Sequence, residues 1–218
     1  MNSLKRVIPT FIIPILFSAT MAFLESVVVV YLRSLYAGDG AILAITRLSA
    51  RIIRIEIFRE AATIIMLMSI SMLAGHSRMQ RMGVFSFCFG LWDIFYYLWL
   101  KVLLDWPVSL LDVDILFLIP GPWIGPVLAP LLISAGLIGF GVLLFIREKS
   151  EIPIRNSWLA WILILGGCVL MVESFLVHNF QAFEADQVRY PWELFISGMA
   201  VAIGGAGLLL LSPRKENG

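Results

Sequence analysis

Charge is what this chain has least of. Asp, Glu, Lys and Arg make up only 14% of its 218 residues, while 60% are hydrophobic and the mean hydropathy is +0.94. Soluble domains carry about 25% charged residues, so a soluble surface cannot be built from this composition and a cytosolic enzyme is excluded. Histidine and cysteine number two each, too few for a haem or copper centre made mainly of His. Cys88 and Cys168, in FCFG and GGCVL, have neither metal-ligand spacing nor a setting for a disulfide, and read as small buried apolar residues. The basic residues are scattered and the net charge is +1, unlike the clustered footprint of a nucleic-acid binder. No Walker A, GxGxxG, HExxH, CxxC or nucleophile-elbow pattern is present to announce a known chemistry.

What the chain does have is long apolar runs. A helix needs about 20 residues to cross the hydrocarbon core, and six segments qualify, roughly 8–32, 52–75, 83–104, 126–146, 157–177 and 192–211. The alternation of barrel strands is missing, and backbone groups in lipid favour helices. The fold expected is therefore an all-α integral membrane protein, with about six transmembrane helices in one bundle and a single membrane domain over 1–218. The opening MNSLKRVIPTFIIPILF begins like a signal peptide, but its apolar run outlasts an h-region of about 7–15 residues. An uncleaved first span is the expectation.

Lys5, Arg6, Arg78, Arg81, Arg147, Lys149, Arg155, Arg214 and Lys215 fall on one side of these alternating spans. The positive-inside rule makes that side cytoplasmic, which predicts an inner (cell) membrane location with both termini inside. Arg33, Arg47, Arg51 and Arg54 run against the count. The last three are spaced by four and three within GAILAITRLSARIIRI, so they share a helical face. They predict an amphipathic helix on the outer surface over 41–55, or an outward extension of span 2.

The few charges inside the spans share one depth. At about 1.5 Å per residue, Glu25, Glu56, Arg59, Glu60, Asp93 and Glu173 all fall in the outer half of their spans, leaving the inner half nearly free of charge. Glu56 and Glu60 are four apart on one side of span 2, with Arg59 within reach. In GLWDIFYYLWLK, Asp93, Tyr97 and Lys101 form a ladder at intervals of four, with Tyr96 on the neighbouring face. Charges in a bilayer cost several kcal/mol unless they pair or face a wet cavity. One outward-opening chamber would satisfy all of them. In it, Glu25, Glu56, Glu60 and Asp93 are candidate ligands for a divalent metal ion, or acids sharing a proton, with Arg59, Tyr97 and His178 as neighbours. The competing reading is structural: Arg59 paired with Glu25 or Asp93 merely fixes helix registry, or Arg59 forms a local pair with Glu56.

The connection 106–125 is rich in Pro and Gly yet strongly apolar from Ile115 to Ile119. Two readings stand open: a half-helix that re-enters the outer leaflet and breaks at PGPWIGP, capped by Asp112 or Asp114, or an interfacial loop anchored by Trp106 and Trp123. Spans 4–6 carry Gly136, Gly139, Gly141, Gly166, Gly167, Gly198, Gly204, Gly205 and Gly207, and Ala200 with Gly204 has small-xxx-small spacing. Such faces close a bundle, self-associate, or dock a membrane-protein partner; the bilayer is the other partner implied, and nucleic acid is not. Three functions fit. The first is proton- or cation-linked transport at an acidic pocket. The second is a membrane-embedded enzyme using carboxylates or a metal on an external or lipid-linked substrate, and the third an accessory subunit of a larger complex.

Overall fold

The computed structural model describes residues 2–36, 49–119, 121–149, 157–177 and 189–211. Among these, six helices are long and apolar enough to cross a membrane: α1 (Asn2–Tyr36), α2 (Ala50–Ala74), α3 (Arg78–Leu104), α4 (Leu128–Lys149), α5 (Trp158–Leu176) and α6 (Trp192–Leu211). Their bounds follow the apolar runs to within a few residues, and the differences have local causes. α3 starts before its apolar run because Ser77 caps it, accepting the Gln80 N–H at 3.1 Å. Ser49 caps α2 in the same way through Ile52. α1 runs past its apolar stretch and so carries Arg33 within the helix.

α1 and α3 run parallel, with Phe11 against Phe87 near one end and Ser26 Oγ donating to the Tyr96 carbonyl further along. α4 lies antiparallel along α3, and α6 along α5. Close backbone approach explains part of the glycine content. A Cβ at Gly90 would sit 2.5 Å from the Ser134 carbonyl, and one at Gly205 would sit 2.7 Å from that of Ala160. In α6 the internal packing face is Gly198, Ala202 and Gly205, not the expected Ala200 and Gly204, which point away. A Cβ at Gly136, Gly139, Gly166, Gly204 or Gly207 would meet nothing within 4 Å among the described residues.

The connection between α3 and α4 departs from the expected half-helix. Val113–Phe117 (β1) and Trp123–Pro126 (β2) form an antiparallel hairpin, with Asp114 opposite Gly125, Ile115 opposite Ile124, and a bulge between Ile115 and Phe117. The apolar, β-branched VDILF stretch suits a pleated, half-buried surface better than a single helical turn. A bulky residue at 125 would collide with the Phe175 ring, 2.7 Å from a Cβ there. Neither acid caps a helix. Asp112 accepts the N–H groups of Val108 and Ser109, at 2.8 and 3.1 Å, in the preceding turn, and Asp114 is buried in the strand. α3 itself stops at Asp105, whose φ of 52° is left-handed, a conformation Asp tolerates, and the following Trp106–Pro107 bond is cis. Trp123 stacks on Phe175 with an interplanar angle of 8°, so it packs between elements rather than standing as a free interfacial anchor.

Two further expectations meet the structure only partly. Of the amphipathic stretch 41–55, residues 41–48, with Arg47, lie outside the described residues, while Arg51 and Arg54 are exposed in the first turns of α2. Cys88 is buried, but Cys168 is exposed on α5. A helix that faces lipid is apolar on its outer side too, so an apolar run did not imply burial within the protein.

Candidate functional site

One stripe of α2 sets the site. Its buried residues are Glu56, Glu60, Thr63, Leu67 and Ser71, spaced by four, three, four and four. This is the side of a helix that meets a neighbour, and it is acidic at its first turns and uncharged from Thr63 onward. The acidic part faces a cavity of about 100 Å³ whose wall includes Glu25, Glu56, Arg59, Glu60, Asp93 and Asp114. From the uncharged part, Leu67 joins Phe11, Met21, Val84, Phe87 and Phe145 in a buried cluster. The cavity thus ends on packed hydrocarbon toward the far end of the helices.

Each carboxylate is held by a named partner. Arg59 pairs with Glu25 of α1 and, through Nε at 2.7 Å, with Glu56 one turn before it. Glu25 also accepts the Thr63 hydroxyl. Glu60 accepts the Leu118 backbone N–H at both oxygens, at 2.9 and 3.1 Å, joining α2 to the residue just after β1. Asp93 of α3 accepts the Ser134 hydroxyl of α4 at 2.8 Å. Asp114 of β1 lies 3.9 Å from Arg33 and accepts the Tyr97 hydroxyl at 3.3 Å. The Arg33 guanidinium in turn sits over the Trp106 ring, 4.1 Å from its centroid. Burial pushes the Asp114 carboxyl up to about 6, against the opposing pull of Arg33, the Ile115 N–H and the Tyr97 hydroxyl.

The structure therefore brings Glu25, Glu56, Glu60, Asp93, Arg59 and Tyr97 to one cavity wall. Of the pairings open to Arg59, it makes those with Glu25 and Glu56. The ladder on α3 stops at Tyr97: Lys101 is exposed and turns to Asp105, 2.7 Å away. Glu173 is exposed and away from the cavity wall, and His178 lies outside the described residues. Among the described residues no three His, Cys, Asp or Glu side chains gather closely enough to hold a metal ion. The four acids expected as ligands are distributed around the wall, Glu25 and Glu56 sharing Arg59, Glu60 on the Leu118 N–H and Asp93 on the Ser134 hydroxyl.

Arg33, Thr63 and Trp92 also line the cavity and were not expected there, while Asp114 and Phe117 come from the 106–125 connection, which in its re-entrant reading would form a lid or wall of the chamber. A sequence signal existed for Asp114, an acid set between Val113 and Ile115 in an otherwise apolar strand. None existed for the Leu118 amide, which is backbone. Comparison with known protein families, with characterised proteins and with solved structures finds no match, so geometry alone carries the reading of the site.

Proposed function

We propose that the protein takes up a proton or a small cation in this cavity, as the binding step of cation- or proton-linked transport. The observation that carries the reading is a charge imbalance. Five carboxylates, those of Glu25, Glu56, Glu60, Asp93 and Asp114, share the wall with two guanidinium groups, Arg33 and Arg59. Arg59 serves Glu25 and Glu56, and Arg33 approaches Asp114. Glu60 and Asp93 have no cationic group within 4 Å among the described residues. An uncompensated carboxylate at membrane depth costs several kcal/mol. Protonation or a bound cation removes that cost, and exchange of one for the other is the elementary step of coupled transport.

Among the described residues the apolar cluster of Leu67, Phe11, Met21, Val84, Phe87 and Phe145 favours a carrier over an open pore. The distribution of Lys and Arg favours an orientation with the cavity on the outer side of the cell membrane and both termini in the cytoplasm. The test is transport in sealed vesicles containing a pH-reporting dye. Imposed gradients of Na⁺, K⁺, Mg²⁺ or a small ammonium ion, tried one at a time, should for at least one of them move protons faster than in protein-free vesicles. The double variant Glu60→Gln with Asp93→Asn should abolish this while still eluting as a folded species. Gradients that move nothing, or a double variant that transports like the parent, would sink the proposal.

A further inference from the structure

We infer that the cation taken by this cavity is a small organic ammonium ion of the amino-alcohol type rather than a bare metal ion; the inference rests on the cation-binding reading above. Three observations lead to it. First, size: a water needs about 10–15 Å³ of free volume, and the cavity offers about 100 Å³, room for several heavy atoms. Second, lining: Trp92, Tyr96, Tyr97 and Phe117 share the wall with the acids. Aromatic surface adds little for a hydrated divalent ion but attracts an ammonium group and packs against its carbon stem. The dispersed acids point the same way, since a hard metal requires several oxygens around one point, and no such group forms among the described residues.

The protein already uses this chemistry with its own side chain. Arg33 lies between the Asp114 carboxylate and the Trp106 ring, a cation shared by one acid and one aromatic face. Glu60 and Asp93 are the acids left without such a cation.

The third observation is a donor without an acceptor. Trp92 lines the cavity and is only 7% exposed, and its indole N–H, itself covered, has no hydrogen-bond partner among the described residues; a turn of the ring toward the cavity brings it to a ligand. Buried polar groups are paired in the great majority of cases, so a ligand that brings an oxygen completes the site. An ammonium ion with a hydroxyl one or two carbons away supplies the charge for the acids, a stem for the aromatic walls and an acceptor for Trp92.

Thermal unfolding of the purified full chain in detergent tests this with ethanolamine, ethylamine, NaCl and MgCl₂ at matched ionic strength and neutral pH. Ethanolamine should raise Tm in a saturable way and more than ethylamine, with either salt giving no saturable rise. Trp92→Phe should keep a response to ethylamine and remove the advantage of ethanolamine. Asp93→Asn should weaken both amines at least tenfold, and its elution volume guards against misfolding. Equal responses to the two amines in the parent chain, or a saturable rise with a metal salt alone, would overturn the inference while leaving cation binding intact. If no cation acts and stability is the same from pH 4 to pH 8, both readings fail.

Discussion

The Glu60 carboxylate grips the Leu118 backbone N–H with both oxygens, at 2.9 and 3.1 Å, across 58 positions of sequence. A side chain of a membrane-length helix thereby fixes the end of a hairpin strand that walls the cavity. Asp114 does the reverse, reaching from the hairpin to Arg33 of α1 and Tyr97 of α3. The hairpin is held over the acids from both sides, so its position and the protonation of those acids are linked through the same atoms.

Removing that grip should loosen the hairpin locally. Glu60→Ala leaves the Leu118 N–H without its acceptor, a loss of about 1–3 kcal/mol for a buried donor. Amide exchange at Leu118 should quicken, while the amides in the middle of α4 keep their protection. Glu60→Gln, which keeps an acceptor oxygen, should exchange more slowly than Glu60→Ala. Equal exchange in all three proteins would mean that this contact does not hold the strand.

Among the described residues Arg59 is the one cation bonded to two carboxylates. Arg59→Met strands Glu25 and Glu56, and breaking a buried ion pair costs about 3–5 kcal/mol. Arg59 retains 27% side-chain exposure, so the lower end, about 3 kcal/mol, is expected. Restoring neutrality in the triple variant Arg59→Met, Glu25→Gln, Glu56→Gln should recover most of the lost Tm. No recovery would point to packing of the long side chain rather than charge.

How much of this was legible follows from what periodicity encodes. Helical spacing converts directly into faces, and so Glu56, Glu60 and Asp93 were assigned to a common chamber from their positions alone. The same rule failed at Lys101, where the α3 face runs past the protein's polar interior to the exposed end and finds Asp105 four residues on. The hairpin was missed because strand pairing between short segments depends on a partner that the local pattern does not name. The pairing of Arg33 with Asp114 at the wall was lost with it.

Glycines of two kinds give opposite predictions. Gly90 lies against the Ser134 carbonyl, and the Ser134 hydroxyl holds Asp93. Gly90→Ala must push α4 away, at about 1–3 kcal/mol for overpacking, and should also disturb the cavity by moving the Asp93 partner. A Cβ at Gly136 would meet nothing within 4 Å among the described residues. Gly136→Ala should be neutral or stabilising by up to about 1 kcal/mol through helix propensity. Thermal unfolding in detergent separates the two; a Gly136→Ala variant that falls apart as readily as Gly90→Ala would show that this open face is covered by a partner or a second copy.

The buried Asp114 gives the fold a pH dependence of predictable sign. Burial raises its carboxyl to about 6, above the value of about 3.9 in an unfolded chain. The folded state therefore binds more protons than the unfolded state between these values, and stability must fall as pH rises through that window. Its contribution is fully present below about pH 4, is lost by about pH 6, and is flat above. A difference of about two pKa units corresponds to about 3 kcal/mol. The groups set against Asp114 are Arg33, which favours its charged form, and the Tyr97 hydroxyl and Ile115 N–H, which also stabilise the carboxylate. Asp114→Asn keeps the shape and cannot ionise, so it should remove this slope and leave a chain more stable than the parent at pH 7. Subtracting the two Tm profiles from pH 4 to pH 8 isolates the effect. A difference that grows toward low pH instead of toward neutral pH would mean that the Arg33 pairing outweighs burial.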